Sequence, residues 1–413
     1  MLLSFYFRFV VVVQLYEIKE SEEQKVAINN SFIAAAEHFS AKLTKTISKN
    51  EGYNFVISPV SEVLALSLLG SSSDTTALKE IKDTIGLTPE NNKREEFQFF
   101  VDNLHAKANV TLKILTGLFI NANIPIKNEF RMLSTNFFKI KLDSVNYSHP
   151  YGASAKINSW LEQETDFKID NLVDFDKINE STSMIVTNAV YFKAKWLNKF
   201  CAEKTVENTF STSDGDKQNV PMMYTDSSFI TGPISDLSAS FIELPYEDTQ
   251  FSMIIILPYK VDGLEEVEDC LATMTLTQIL SNGNYMPVRL GMPKFQIKTE
   301  LEMTNALNEM GVNAMFTESD YFSRISDNAT HVSLFLQKSY IDVNEQGTVA
   351  SGIVGFQSAS LVNENIYPQM PTFSVDRPFH YKIIKYVNET STESIVLFAV
   401  LLFSNVKLSN ITK

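Results

Sequence analysis

Between Ile185 and Phe192 the chain reads Ile-Val-Thr-Asn-Ala-Val-Tyr-Phe, then runs through Lys193, Ala194 and Lys195 to Trp196. A near-continuous apolar run of this kind belongs to a strand buried on both faces, because a half-exposed strand would alternate. The fold must therefore hold a sheet with a layer packed on either side. Asn188 stands in the middle of the run, and a buried amide there needs hydrogen-bond partners.

The remaining composition can supply those layers. Hydrophobic residues make up 44% of the 413 and charged residues 20%, and 30 Phe with 15 Tyr provide the bulk of a sizeable core. Neither an internal repeat nor a Pro/Ser/Gly linker divides the chain, so one large domain is expected over 25–408. A formal net charge of -14 argues against nucleic acid or an anionic membrane as partner, since both are gripped by clustered Lys and Arg. The densest basic cluster, Lys193, Lys195 and Lys199, is too sparse for a polyanion and reads as a solvated face. Cys201 and Cys270 imply neither a disulfide framework nor a metal site.

The apolar stretch Leu2 to Tyr16 is too short for a comfortable membrane span and is followed by acidic Glu17 to Glu23. It reads as a secretory signal within 1–20, although Arg8 interrupts it and no small-x-small cleavage site is evident. Secretion to the extracellular space is the expectation. The alternative is an intracellular protein whose first element happens to be apolar. Glycosylation sequons at Asn29, Asn109, Asn146, Asn179, Asn328, Asn388 and Asn410 lend the secreted glycoprotein reading weak support.

Along the chain, Phe32, Ala35, Ala36, Phe39 and Leu43 recur at helical spacing and predict a first amphipathic helix. Phe55, Val56 and Ile57 form a short strand ended by Pro59, and Val63, Leu64, Leu66, Leu68 and Leu69 carry a helix to Gly70. Taken singly, Ser58 and Ser61 read as helix caps. Strands are expected over 108–121, 241–246, 252–258, 332–343 and 395–403, the last too short to span a bilayer.

The strand over 332–343 leads into Glu345-Gln346-Gly347-Thr348, then a long small and apolar stretch, then Arg377-Pro378-Phe379. No helical period runs through it, and Gly352, Gly355, Pro368 and Pro371 argue against one long element. Ordered loops of this length are unusual and are functional or disordered. It looks like a loop built to be cut.

From Asn30 to Phe403 these landmarks, in this order, resemble the serpin family. The resemblance implies a mixed α+β fold: a large central β-sheet with two smaller sheets, surrounding helices and an exposed reactive-centre loop, here about 345–376. It places Glu345, Gly347, Thr348 and Ala350 at the hinge of that loop. Lys294, Trp196 and Glu345 fall in the breach, where the loop first enters the sheet. Ser58, Ser61, Asn188 and Gln337 fall in the shutter, where the central strands part. Gln337 stands where serpins usually carry a histidine bonded to the asparagine and serine, and Val400 where a glycine is usual.

The resemblance further implies a monomer that offers the loop to a target serine protease and traps it as a covalent acyl complex. The cut loop then inserts as a new central strand. By the family's offset from the hinge glutamate, the reactive bond is Leu361-Val362. Insertion demands that alternate side chains enter an apolar face. The inward set Thr348, Ala350, Gly352 and Val354 is uncharged and small or medium, whereas Ile353, the glycines and Phe356 are less favourable. Suicide-type inhibition is the implied function, and a non-inhibitory serpin serving as a binding or carrier protein is the alternative.

Between Glu345 and Asp376 there is no Lys or Arg. A trypsin-like pocket would leave its buried aspartate unpaired against such a loop, so a chymotrypsin-like, elastase-like or cysteine protease is the expected target. Enzyme readings find no footing. His38, His105, His149, His331 and His380 lack zinc-binding spacing, and no Gly-Lys-Ser/Thr loop or Gly-x-Ser-x-Gly elbow occurs. No catalytic residue, cofactor or metal is expected.

Overall fold

A computed structural model describes residues 31–51, 54–73, 76–88, 94–104, 110–234, 237–317, 322–348, 370–387 and 394–402. The segment 1–20, Ala350 and the Leu361-Val362 bond lie outside these residues. The strands in chain order are β1 (Phe55–Ile57), β2 (Thr111–Asn121), β3 (Lys141–Val145), β4 (Met184–Lys195), β5 (Val206–Ser211), β6 (Lys217–Pro233), β7 (Ala239–Pro245) and β8 (Phe251–Pro258). They continue with β9 (Asn284–Pro293), β10 (Phe295–Glu302), β11 (Leu334–Asn344), β12 (Gly347–Thr348), β13 (Thr372–Ser374), β14 (Phe379–Tyr386) and β15 (Ser394–Leu402).

A six-stranded sheet has the order β10-β11-β12-β4-β2-β3. β4 lies inside it and is buried without a break from Met184 to Phe192. The pleat explains why both faces must be apolar. Met184, Val186, Val190 and Phe192 enter the main core, while Ile185 and Ala189 enter a second core on the opposite face. That second core is closed by the helix Pro150–Glu164 and the segment after it, through Ile157, Leu161, Ile169, Leu172 and Val173. Each such side chain stabilises the fold by about 1.5–3 kcal/mol on burial, so the helix is firmly seated on the sheet.

On the main-core face lies the helix Pro59–Ser71, buried along almost its whole length. Pro59 starts it with a preset φ where no amide donor is needed. Glu62 is its only charged residue. The helix Ser31–Glu51 packs over it by Phe32, Phe39, Leu43 and Ile47, spaced as one helical face.

The remaining strands follow the order β1-β15-β14-β8-β7-β6-β9-β13, with β5 on β6. They form one nine-stranded sheet in which the two smaller sheets expected from the resemblance are continuous through β6: it pairs with β5 and β9 along its length, and Ile230–Pro233 also pair with β7. β14 and β15, from the last part of the chain, sit among strands from earlier parts of it.

Candidate functional site

β11 and β4 pair directly and in parallel from Leu334↔Ile185 to Tyr340↔Tyr191. Above that they part, and the gap is filled by β12. Gly347 pairs with Lys195 and Asn344, and Thr348 with Ala194 and Val343, antiparallel to both neighbours. Glu345 and Gln346 make the tight turn from β11 into β12. A Cβ on Gly347 would stand 2.0 Å from the Ala194 carbonyl oxygen, so only glycine fits this close approach.

Several side chains hold the turn in place. Trp196 donates from Nε1 to the Asn344 carbonyl at 2.9 Å and from its backbone to Gln346 at 3.0 Å. Tyr246, buried under Trp196, shares a 2.8 Å hydrogen bond with the Thr348 hydroxyl. Lys294 meets Glu345 at 3.0 Å, and Thr205 donates to the same carboxylate at 2.9 Å. Burial pushes the Glu345 carboxyl up, but its own backbone amide, Lys294 and Thr205 outweigh burial and hold it below the ordinary carboxylate range. Lys294, Trp196 and Glu345, which the resemblance assigns to the breach, and Gly347 and Thr348, which it assigns to the hinge, thus meet in one place at the top of the sheet.

The residues that the resemblance assigns to the shutter are also brought together: Ser58, Ser61, Asn188 and Gln337 are all buried on the face that carries the helix Pro59–Ser71. Asn188 and Gln337 stand opposite each other in the β4–β11 register. Their wiring differs from the expected bond between the two positions, because a third residue intervenes. Asn188 Nδ2 donates to Glu62 Oε1 at 3.1 Å. In the amide orientation that satisfies both of its ends, Gln337 donates to the same Oε1 at 3.2 Å. Its oxygen then accepts from the Ser58 backbone amide at 2.7 Å and from the Ser339 hydroxyl at 3.2 Å. The Ser61 hydroxyl donates to the Ser58 carbonyl at 2.8 Å and lies 3.3 Å from Glu62 Oε2.

Ser58 occupies the N-cap position but makes no side-chain cap bond. Its hydroxyl and Asn188 Oδ1 have no partner among the described residues. Burial pushes the Glu62 carboxyl up to about 8 against the opposing pull of Asn188, the local backbone and Ser61, and the Gln337 amide is a further donor on the same side.

The other face of the sheet carries a further tie. Lys338 on β11, almost wholly buried, reaches Glu300 at 3.0 Å and donates to the Asn171 carbonyl at 3.2 Å and to the Asp170 carbonyl. It thereby fastens the segment after the helix Pro150–Glu164 to the strand that borders the gap. Glu62, Tyr246, Thr205 and Lys338 were not singled out by the sequence. A lone acid in an otherwise uncharged apolar helix was the available signal for the first of them.

Comparison with known proteins gives a consistent set of relatives. The family model described as Serpin (serine protease inhibitor) matches residues 34–399. Antitrypsin of Bombyx mori is 28% identical over 351 residues, covering 84% of this chain and 89% of its own length. Antichymotrypsin-2 of the same species is 28% identical over 346 residues, 83% of this chain and 92% of its own. The crystal structure of Serpin48, a highly specific serpin of the insect Tenebrio molitor, superposes with a TM-score of 0.80 at 26% identity and covers 92% of this chain and 100% of that one.

Proposed function

The chain belongs to the serpin family, and from that premise we propose that it is a suicide-type inhibitor of a serine protease with an apolar primary preference, or of a cysteine protease. The carrying observation is the seat of Gly347 and Thr348 between β4 and β11. Those two residues have already made the first rungs of a new strand. Continuing the same register by six residues, Val354 would face Gln337 on one side and Asn188 on the other. Thr348 points inward onto Tyr246, so Val354 would point inward as well. Ala350, Gly352 and Val354 are all of a size and polarity that the buried face accepts.

Insertion carries the protease, still bound as an acyl ester to the residue before the cut, away from the top of the sheet. A distorted enzyme then fails to hydrolyse the ester. The uncut molecule is held by a kinetic barrier rather than by lying lowest in free energy.

The absence of Lys and Arg from 346–375 supports this target class, and Leu361-Val362 is the proposed bond. Relatives named antitrypsin and antichymotrypsin-2 match about equally well, so the choice between them rests on this loop's own residues. Incubation with chymotrypsin, elastase, trypsin and a cathepsin tests both points. The expected result is an SDS-resistant complex with an enzyme of apolar preference, none with trypsin, and a released fragment beginning at Val362. Clean cleavage by all four, with no complex and no gain in thermal stability, overturns inhibition in favour of a binding or carrier role. Secretion is part of the proposal, and N-terminal sequencing of the mature protein tests it.

A further inference from the structure

The two strands that must part for insertion, β4 and β11, are bridged through a single oxygen. Asn188 from one and Gln337 from the other both donate to Glu62 Oε1, at 3.1 and 3.2 Å. Glu62 is wholly buried on a helix that does not itself divide when the strands separate. Neither amide can keep its bond to that oxygen if both strands move aside, so opening the sheet strips the carboxyl of donors and admits water to it.

We propose that Glu62 is a proton-linked clasp on the sheet: neutral while it bridges β4 and β11, ionised when they part. Acid conditions then hold the sheet shut and alkaline conditions loosen it.

Full burial with no cation beside it favours the neutral group in the closed sheet, against the donors, which favour the anion. Ser61 faces it from its own helix, Asn188 from β4 and Gln337 from β11, and none of these ionises in the range concerned. Among the described residues, the other elements packed on this helix, β2, β15 and the helices Ser31–Glu51 and Thr76–Ile85, bring no charged group to bear on it. Burial without a cation holds the carboxyl neutral up to about pH 8, whereas a hydrated carboxyl ionises near 4.5. Opening therefore releases a proton throughout that window. An inserted strand would lay Val354 over the same carboxyl and require the proton back.

This inference rests on the insertion reading for its biological use, but its test does not. Hydrogen exchange of the ladder 185–191 with 334–340 is measured on the uncut chain from pH 5 to 9, corrected for intrinsic exchange, in wild type and Glu62→Gln. The ratio of opening constants, wild type over variant, is expected to climb by up to tenfold per pH unit and level off above pH 8. A ratio that stays flat or falls overturns the clasp. If Glu62→Gln does not fold, the opening constant of the same ladder in the wild-type molecule, corrected for intrinsic exchange, is required to make that climb by itself.

A second arm compares the rates of covalent complex formation by the two proteins at each pH, so that the protease's own pH dependence cancels. A climbing exchange ratio with no complex formed upholds the clasp and removes inhibition. A flat exchange ratio with normal complex formation does the reverse.

Discussion

The indole of Trp196 lies flat on the ring of Tyr246, centroids 4.5 Å apart and planes within 11°. The stack fixes both polar ends: the Trp196 N–H on the Asn344 carbonyl and the Tyr246 hydroxyl on Thr348. The hinge is thus held by a rigid pair of rings rather than by backbone pairing alone.

Tyr246→Phe keeps the stack and removes one hydroxyl. It leaves the buried Thr348 side chain unpaired, a loss of about 1–2 kcal/mol confined to the hinge. Amide exchange at Gly347 and Thr348 is expected to quicken by about tenfold while the lower ladder is unchanged. Equal protection in both proteins would mean that this bond does not hold the hinge.

Gly347→Ala places a methyl 2.0 Å from the Ala194 oxygen and 2.7 Å from the Lys195 Cα, both backbone atoms that cannot swing aside. The expected outcome is expulsion of β12 at a cost of about 1–3 kcal/mol, read as faster limited proteolysis between 345 and 371 with the rest of the chain resistant. In the inhibition assay a larger share of the protein should be cut without trapping the enzyme.

Glu62 also bears on overall stability. Its carboxyl is raised in the folded state to about 8 from an ordinary 4.5. Folding is therefore unpenalised below pH 4.5, loses stability as pH rises toward 8, and stays at that lower level beyond. The full loss is on the order of 5 kcal/mol. Glu62→Gln should match wild type in thermal midpoint at pH 4.5 and exceed it clearly at pH 9; equal midpoints at both values would refute the assignment.

Lys338→Met retains the buried stem of the lysine and deletes its charge. The Asp170 and Asn171 carbonyls lose their donor and Glu300 loses its cation, at a cost of about 2 kcal/mol, less than for a fully enclosed pair because both acids keep contact with water. Exchange across 165–173 is expected to rise, and the proposed insertion beside β11, freed of this tie, should become faster. An unchanged insertion rate would place the barrier elsewhere.

Much of this was legible in the residues. The apolar run at 185–192 announced a doubly buried strand, and family spacing brought Lys294 to Glu345 and Asn188 to Gln337. The sharing of Glu62 was not legible. Periodicity marks a face only when a helix has one, and the helix Pro59–Ser71 is apolar nearly all round, so its one acid carries no sign of direction. Lys338 was hidden for a related reason. Alternation along β11 tells on which side of the sheet a residue lies, but not that the segment after the helix Pro150–Glu164 covers that side.

The placement of β14 and β15 has a practical outcome for any molecule cut within 349–369. The piece that follows the cut contributes inner strands to the nine-stranded sheet, bordered by β8 on one flank and β1 on the other. It cannot drift away. Such a nicked protein should migrate as a single particle by gel filtration and as two polypeptides only after denaturation, its halves laced together by shared backbone hydrogen bonds.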